Sequence, residues 1–185
     1  MFMAPLFVIL FLAQDSLVKM IAIVVFTLAA ITDYVDGWWA RRNKLVTPLG
    51  VFLDPLADKV LVLAALFAFS LEALIPLWMV LIVVARDVLV TGLRMYAESR
   101  SQAIVTSRSA KVKTFLQMTF IIYVLTLNAW ETLAPEVSPS ARLAAGDPDV
   151  LFYGMGAVCL ATIWTGTQYL IDNRSVFGRM PRAGV

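Results

Sequence analysis

The sequence predicts an all-α fold: a polytopic membrane helical bundle of six transmembrane helices, folded as a single domain over residues 1–185. Composition is the first reason. Of 185 residues, 61% are hydrophobic and only 15% charged, a balance outside the range of soluble domains. Spacing is the second, because apolar stretches of about 20 residues, the length that crosses a bilayer, recur along the chain. The third is that the charges gather between these stretches, positive and acidic loops alternating.

The first dozen residues, MFMAPLFVILFL, are apolar but short for a full span. They lack a preceding Lys or Arg and a following small-residue cleavage site, which sets aside a signal peptide. They read as the second half of a first spanning helix whose beginning is missing. Five further spans follow at roughly 17–40, 51–71, 75–97, 112–130 and 150–171. The loop 131–149 carries three prolines and four acidic residues and suggests no chemistry.

Charge placement predicts topology. Arg41, Arg42 and Lys44 close the second span. Arg94, Arg100, Arg108, Lys111 and Lys113 lie between the fourth and fifth, and Arg174, Arg179 and Arg182 follow the last. The positive-inside rule then puts both termini and these loops in the cytoplasm. Trp38 and Trp39 read as an interfacial belt, Trp78, Trp130 and Trp164 as belt or core. Gly154 and Gly156 suggest close helix packing in the last span.

Composition also narrows the chemistry. The chain has no histidine, and its one cysteine, Cys159, sits in an apolar run. Imidazole ligands, thiolate metal sites and a disulfide framework are therefore excluded. The net charge of +2, with no basic aromatic stripe, gives no reason to expect nucleic acid as a partner. Carboxylates, Lys, Arg, Ser, Thr and Tyr remain. Hard oxygen ligands favour Mg²⁺, Mn²⁺ or Ca²⁺ over zinc.

Against this background four aspartates stand out in ITDYVDGWWARRNKLVTPLGVFLDPLADKV. Asp33, Asp36, Gly37 and Ala40 fall on one helical face, and Gly50, Asp54 and Asp58 on another. Two such helices facing each other bring four carboxylates together, with small residues beside them. Clustered anions at membrane depth call for divalent cations, so the pattern predicts a metal-dependent enzyme at a bilayer surface. A structural cation site or an ion pathway would also use four aspartates, but would not need the glycines and Ala40 in register. In the fourth span, Arg86 and Asp87 sit at a depth where charges face the interior and pair. Arg86 and Arg94 share a side of that helix, and with Lys111 at the start of the fifth they converge into a candidate anion pocket. Arg86 as no more than the partner of Asp87 is the competing reading. Lys113 and Arg108 read instead as topology signals or lipid-headgroup contacts.

The same residues spell Asp33-x-x-Asp36-Gly37-x-x-Ala40-Arg41 followed by Gly50-x-x-x-Asp54-x-x-x-Asp58. This resembles the signature of the CDP-alcohol phosphotransferase family at all eight positions. FLDPLADKVLV, ARDVLVTGLR and KVKTFLQM look like its bacterial glycerol-phosphate branch. The resemblance implies that Asp33, Asp36, Asp54 and Asp58 hold two Mg²⁺ (or Mn²⁺) ions and that Asp58 accepts the proton of the attacking hydroxyl. It implies that Gly37, Ala40 and Gly50 make room for the nucleotide of CDP-diacylglycerol, and that Arg41 and Thr47 contact that substrate. By the same match, Arg86, Arg94 and Lys111 would hold the phosphate of glycerol 3-phosphate. The enzyme expected is a homodimer in the bacterial inner membrane, its site facing the cytoplasm. Alternatives are a sibling acting on inositol phosphate, an intramembrane prenyltransferase, whose first motif is spaced differently, and a cation transporter. The Asn-Pro-Asn-type stretch that usually precedes the first helix in the family is absent ahead of Pro5.

Overall fold

A computed structural model describes residues 3–13, 15–43, 48–99, 109–133 and 147–174. Within these, the side chains of 33, 34, 36–43, 48–58, 98, 99, 109–111, 131 and 132 are outside the description. The described chain is all-helical: α1 (Met3–Phe11), α2 (Ser16–Asn43), α3 (Pro48–Leu71), α4 (Leu77–Ser99), α5 (Ser109–Leu133) and α6 (Pro148–Asp172). Each of the five longer helices contains its predicted apolar span, except that α4 starts two residues later. The helices run beyond the spans because polar residues extend them past the apolar stretch.

Local chemistry sets several ends. Asp15 accepts the Leu17 N–H (2.7 Å) ahead of α2, and Asp147 accepts the Asp149 N–H (2.9 Å) ahead of α6, with Pro148 in the first turn. Both satisfy donors that an N-terminus leaves open. The end of α3 is a Schellman motif: Leu74 N–H reaches Phe69 O (2.9 Å) and Ala73 N–H reaches Ser70 O (3.1 Å). Its left-handed residue is Ala73, at φ 56°, a region where a Cβ is strained and glycine is not. Ala73→Gly is therefore expected to stabilise the protein by about 1 kcal/mol. A thermal melt of the detergent-solubilised protein checks it, and an unchanged or lower midpoint would refute it.

Packing buries one apolar core. Phe7, Phe11, Phe26 and Phe69 bind α1, α2 and α3 together, with ring centroids 5.2–5.4 Å apart. Met79, Val80 and Val83 of α4 and Met155, Val158 and Cys159 of α6 continue it. Gly154 lies so close to α5 that a Cβ there would come within 3.2 Å of Phe120, the tight packing that glycine permits. At Gly156 a Cβ would meet nothing within 4 Å, so the packing role expected for it does not hold.

The outside is as apolar as the core. On α2, Leu17, Ile21, Val24, Leu28, Ile31 and Val35 are all exposed, at alternating spacings of four and three that draw one stripe along the helix. α5 and α6 likewise expose Phe115, Ile122, Leu160, Ile163 and Trp164. Exposed apolar surface on this scale marks contact with lipid or protein. Among the described residues, Val112–Trp130 and Pro148–Asp172 are long and apolar enough to cross a bilayer. The architecture is that of a helical membrane protein. Trp78 and Trp130 are half-exposed near the start of α4 and the end of α5, as a belt requires.

Candidate functional site

One ion pair fixes the depth of everything else. Lys19, in the first turn of α2, donates to Glu72, just past α3, at 2.8 Å, and its ammonium lies 5.7 Å from the centroid of the Phe11 ring at the end of α1. The start of α2 and the end of α3 therefore lie together, and the two helices run in opposite directions. Asp33 lies fourteen residues beyond Lys19, and Asp58 fourteen residues before Glu72. At 1.5 Å per residue both backbones sit about 21 Å from the pair. Asp36 and Asp54 follow one turn further on. Four carboxylate-bearing positions thus share one end of the bundle, at matching depths on two helices. Gly37, Ala40 and Arg41 extend α2 at that end, and Gly50 lies in the first turn of α3. The side chains of all eight signature residues, and that of Lys111, fall outside the described residues, as does Thr47 entirely. Among the described residues, no group of three or more acidic, His or Cys side chains forms a metal cluster.

What is described beside them is a buried polar cluster, level with Lys59 and so one residue from Asp58. Asp87 is 4% exposed and Lys113 equally so. Lys113 Nζ donates to both carboxylate oxygens of Asp87, at 2.9 and 2.8 Å. Arg86 Nη1 donates to Oδ1 of the same carboxylate at 3.1 Å, and Nη2 to Thr165 Oγ1 of α6 at 3.1 Å. Lys59 Nζ donates to Thr91 Oγ1 at 2.5 Å and lies 3.5 Å from the Asp87 carbonyl oxygen. Four helices are joined here: α3 by Lys59, α4 by Arg86, Asp87 and Thr91, α5 by Lys113 and α6 by Thr165. Gly166 leaves the space that Arg86 occupies, since a Cβ there would lie 3.1 Å from Arg86 Cγ.

Sequence reasoning placed Arg86 correctly against Asp87 but misread Lys113. It is no headgroup contact, because a 4% exposed ammonium held by both oxygens of a carboxylate does not face lipid headgroups. Its signal was available: Lys113 and Gln117 are one turn apart in an apolar helix, and both are buried. Lys59 was missed because it follows Asp58 and was absorbed into the motif. Arg94, two turns beyond Arg86, lies at the exposed surface of α4.

A second feature runs away from the aspartates. Between α2 and α5 lies a cavity of about 410 Å³, lined by Ile23, Phe26, Thr27, Ala30 and Ile31 and by Met118, Ile122, Leu125, Thr126 and Ala129. Its two hydroxyls are turned to their own helices, Thr27 to Ile23 O and Thr126 to Ile122 O, so the lining offers apolar surface. It begins at Ile31, two residues from Asp33.

Fold and site together define an all-α membrane protein with acidic and basic groups gathered at one end of an apolar bundle. Residues 1–165 match the model of the CDP-alcohol phosphatidyltransferase family, and the chain belongs to that family. Among its relatives is the CDP-diacylglycerol–glycerol-3-phosphate 3-phosphatidyltransferase of Bacillus subtilis (strain 168), 41% identical over 105 residues, 57% of this chain and 54% of that protein. The protein of the same name from Rickettsia typhi is 38% identical over 125 residues, 68% of this chain and 70% of that protein. A probable phosphatidylglycerophosphate synthase of Mycobacterium tuberculosis (strain CDC 1551 / Oshkosh) is 33% identical over 158 residues, 85% of this chain and 68% of that protein. The match thus spans about half the length of the Bacillus relative and about two thirds of the other two.

Proposed function

We propose that this chain transfers the phosphatidyl group of CDP-diacylglycerol to the 1-hydroxyl of sn-glycerol 3-phosphate, giving phosphatidylglycerophosphate and CMP. The observation that carries the reading is the matched depth of Asp33, Asp36, Asp54 and Asp58 on two antiparallel helices, beside a cationic cluster. The names of the relatives support the choice of substrates.

Four carboxylates, in a chain without histidine, are a donor set suited to two hard divalent cations such as Mg²⁺ or Mn²⁺. Asp33, Asp36, Asp54 and Asp58 would hold them, and such ions neutralise the charge of a pyrophosphate. The protein's own residues do the rest. Gly37, Ala40 and Gly50 let the nucleotide approach the helix backbones. Arg41 and Thr47 hold the CDP-diacylglycerol, the arginine through paired hydrogen bonds to phosphate. The apolar cavity between α2 and α5 suits an acyl chain of the same molecule. Arg86, Arg94 and Lys111 draw in the acceptor phosphate. Asp58 then takes the proton of the acceptor hydroxyl, whose oxygen bonds to the phosphatidyl phosphorus as the bond to CMP breaks.

The reading includes a single domain over 1–185, six membrane crossings, a homodimer, and a bacterial inner-membrane location with the site on the cytoplasmic side. The concentration of Arg and Lys at the aspartate end supports that orientation.

The test is CMP release by purified protein in detergent with CDP-diacylglycerol and Mg²⁺, against glycerol 3-phosphate, inositol phosphate, serine and no acceptor. Release dependent on glycerol 3-phosphate is expected. Dependence on inositol phosphate instead would move the chain to a sibling branch. Turnover of labelled polyprenyl pyrophosphate, or ion flux into liposomes without CMP release, would replace the reading altogether.

A further inference from the structure

The buried cluster around Asp87 holds more positive than negative charge. Three cations, Lys59, Arg86 and Lys113, come from three helices, and among the described residues Asp87 is the one carboxylate they share. Asp87 is taken up by Lys113 and Arg86, and Lys59 reaches a hydroxyl and, at 3.5 Å, a carbonyl oxygen. Buried charge is tolerated when paired, and this set is one carboxylate against three cations.

The cluster is also short of acceptors. Arg86 Nε and Gln117 Nε2 are buried N–H donors without a hydrogen-bond partner, and Gln117 lies one turn from Lys113 on α5. Buried donors of this kind are rare and call for an unseen acceptor. Surplus positive charge and unfilled donors point the same way, to a small anion with many lone pairs. A phosphate monoester, carrying nearly two negative charges at neutral pH, meets both needs.

Lys59 has the most telling position. It follows Asp58 directly on α3, while its ammonium crosses to α4 between Asp87 and Thr91. It therefore stands between the aspartate end of α3 and the cations of α4 and α5.

We propose that Lys59 is a further substrate-binding residue, which with Arg86 and Lys113 makes a subsite for the phosphate-monoester dianion of the acceptor, organised by Asp87. The inference rests on the transfer reaction proposed above and adds Lys59 and Lys113 to its acceptor site. It makes the enzyme selective for phosphorylated alcohols, and it puts that selectivity one residue from the base.

Two substitutions separate charge from architecture. Lys59→Met removes the cation and its bond to Thr91, whereas Thr91→Val removes the bond and keeps the cation. Lys59→Met is expected to raise the KM for glycerol 3-phosphate by roughly tenfold or more, the size of a charge-assisted hydrogen bond. The KM for CDP-diacylglycerol should stay within about twofold, a change worth under 0.5 kcal/mol. Thr91→Val should leave both constants near the wild type, and Lys59→Arg should recover much of the lost acceptor affinity. Inorganic phosphate gives a readout without turnover: it should raise the melting midpoint of the wild type and of Thr91→Val, but not of Lys59→Met. Lys59→Gln takes the place of Lys59→Met if the latter does not accumulate folded. Equal effects of the Lys59 and Thr91 substitutions, or a rise confined to the KM for CDP-diacylglycerol, would overturn the proposal and leave the transfer reaction standing. A wild type that releases no CMP with glycerol 3-phosphate would overturn the reaction itself and this subsite with it.

Discussion

Replacing Asp58 by Asn is expected to lower CMP release by about a thousandfold, in the middle of the range for loss of a general base, while the protein stays folded in the membrane. The two side chains are nearly the same size, and the amide keeps an oxygen that can still face a cation. What it cannot do is take a proton from the acceptor hydroxyl. The backbone placement supports this division of labour. Asp58 is the last of the four aspartates along α3 and lies deepest in the bundle on that helix, next to Lys59 and level with the cations of α4 and α5. It is thus the carboxylate of α3 nearest the proposed acceptor subsite. Removing one negative charge from a group of four relieves repulsion, so the melting midpoint should hold or rise. Turnover under saturating substrates and a thermal melt, made on the same preparation, check both halves. Near-normal turnover would end the assignment of Asp58 as base. A lost activity accompanied by a collapsed melt would show a structural residue instead.

Much of this protein is legible in its sequence, because the bilayer leaves few choices. Backbone polar groups in lipid must pair within their own helix, so a long apolar stretch such as 112–130 has little alternative to becoming α5. The aspartate positions are legible for a different reason. Register on a helix is arithmetic, and Asp33 and Asp36, or Asp54 and Asp58, cannot avoid lying about one turn apart. What the sequence could not give is the pairing between helices. Nothing local to Lys19 says that it meets Glu72, fifty-three residues away, yet that contact fixes the relative depth of α2 and α3. Lys113 shows the same limit. Its neighbours Lys111 and Arg108 made it look like one more loop cation, and only the arrival of Asp87 from α4 makes it a core residue. Ala73 is a smaller case: no glycine marks the end of α3, so the Schellman turn was not visible beforehand.

The Asp87–Lys113 pair carries the largest expected effect on stability. Asp87→Asn leaves the Lys113 ammonium, 4% exposed, with a neutral amide where both carboxylate oxygens had been. Breaking one side of a buried pair costs about 3–5 kcal/mol, which for a chain of this size lowers the melting midpoint by roughly 10 °C. The cost comes from the stranded charge more than from the lost bonds, and this distinction can be tested. Arg86 keeps an acceptor in the variant, since the amide oxygen of the substituted side chain can still take its Nη1–H. Lys113 is the group left without a counter-charge. Adding Lys113→Met removes that charge and fills its space with an apolar side chain of similar length, so the double variant should melt well above Asp87→Asn alone. Additive losses in the double variant would mean that the two residues act separately and that the 2.8 Å contact contributes little. Recovery of the melt without recovery of glycerol 3-phosphate affinity is the expected outcome. It would place the role of the pair in binding the acceptor, since a bundle that holds together without these charges has no structural need for them.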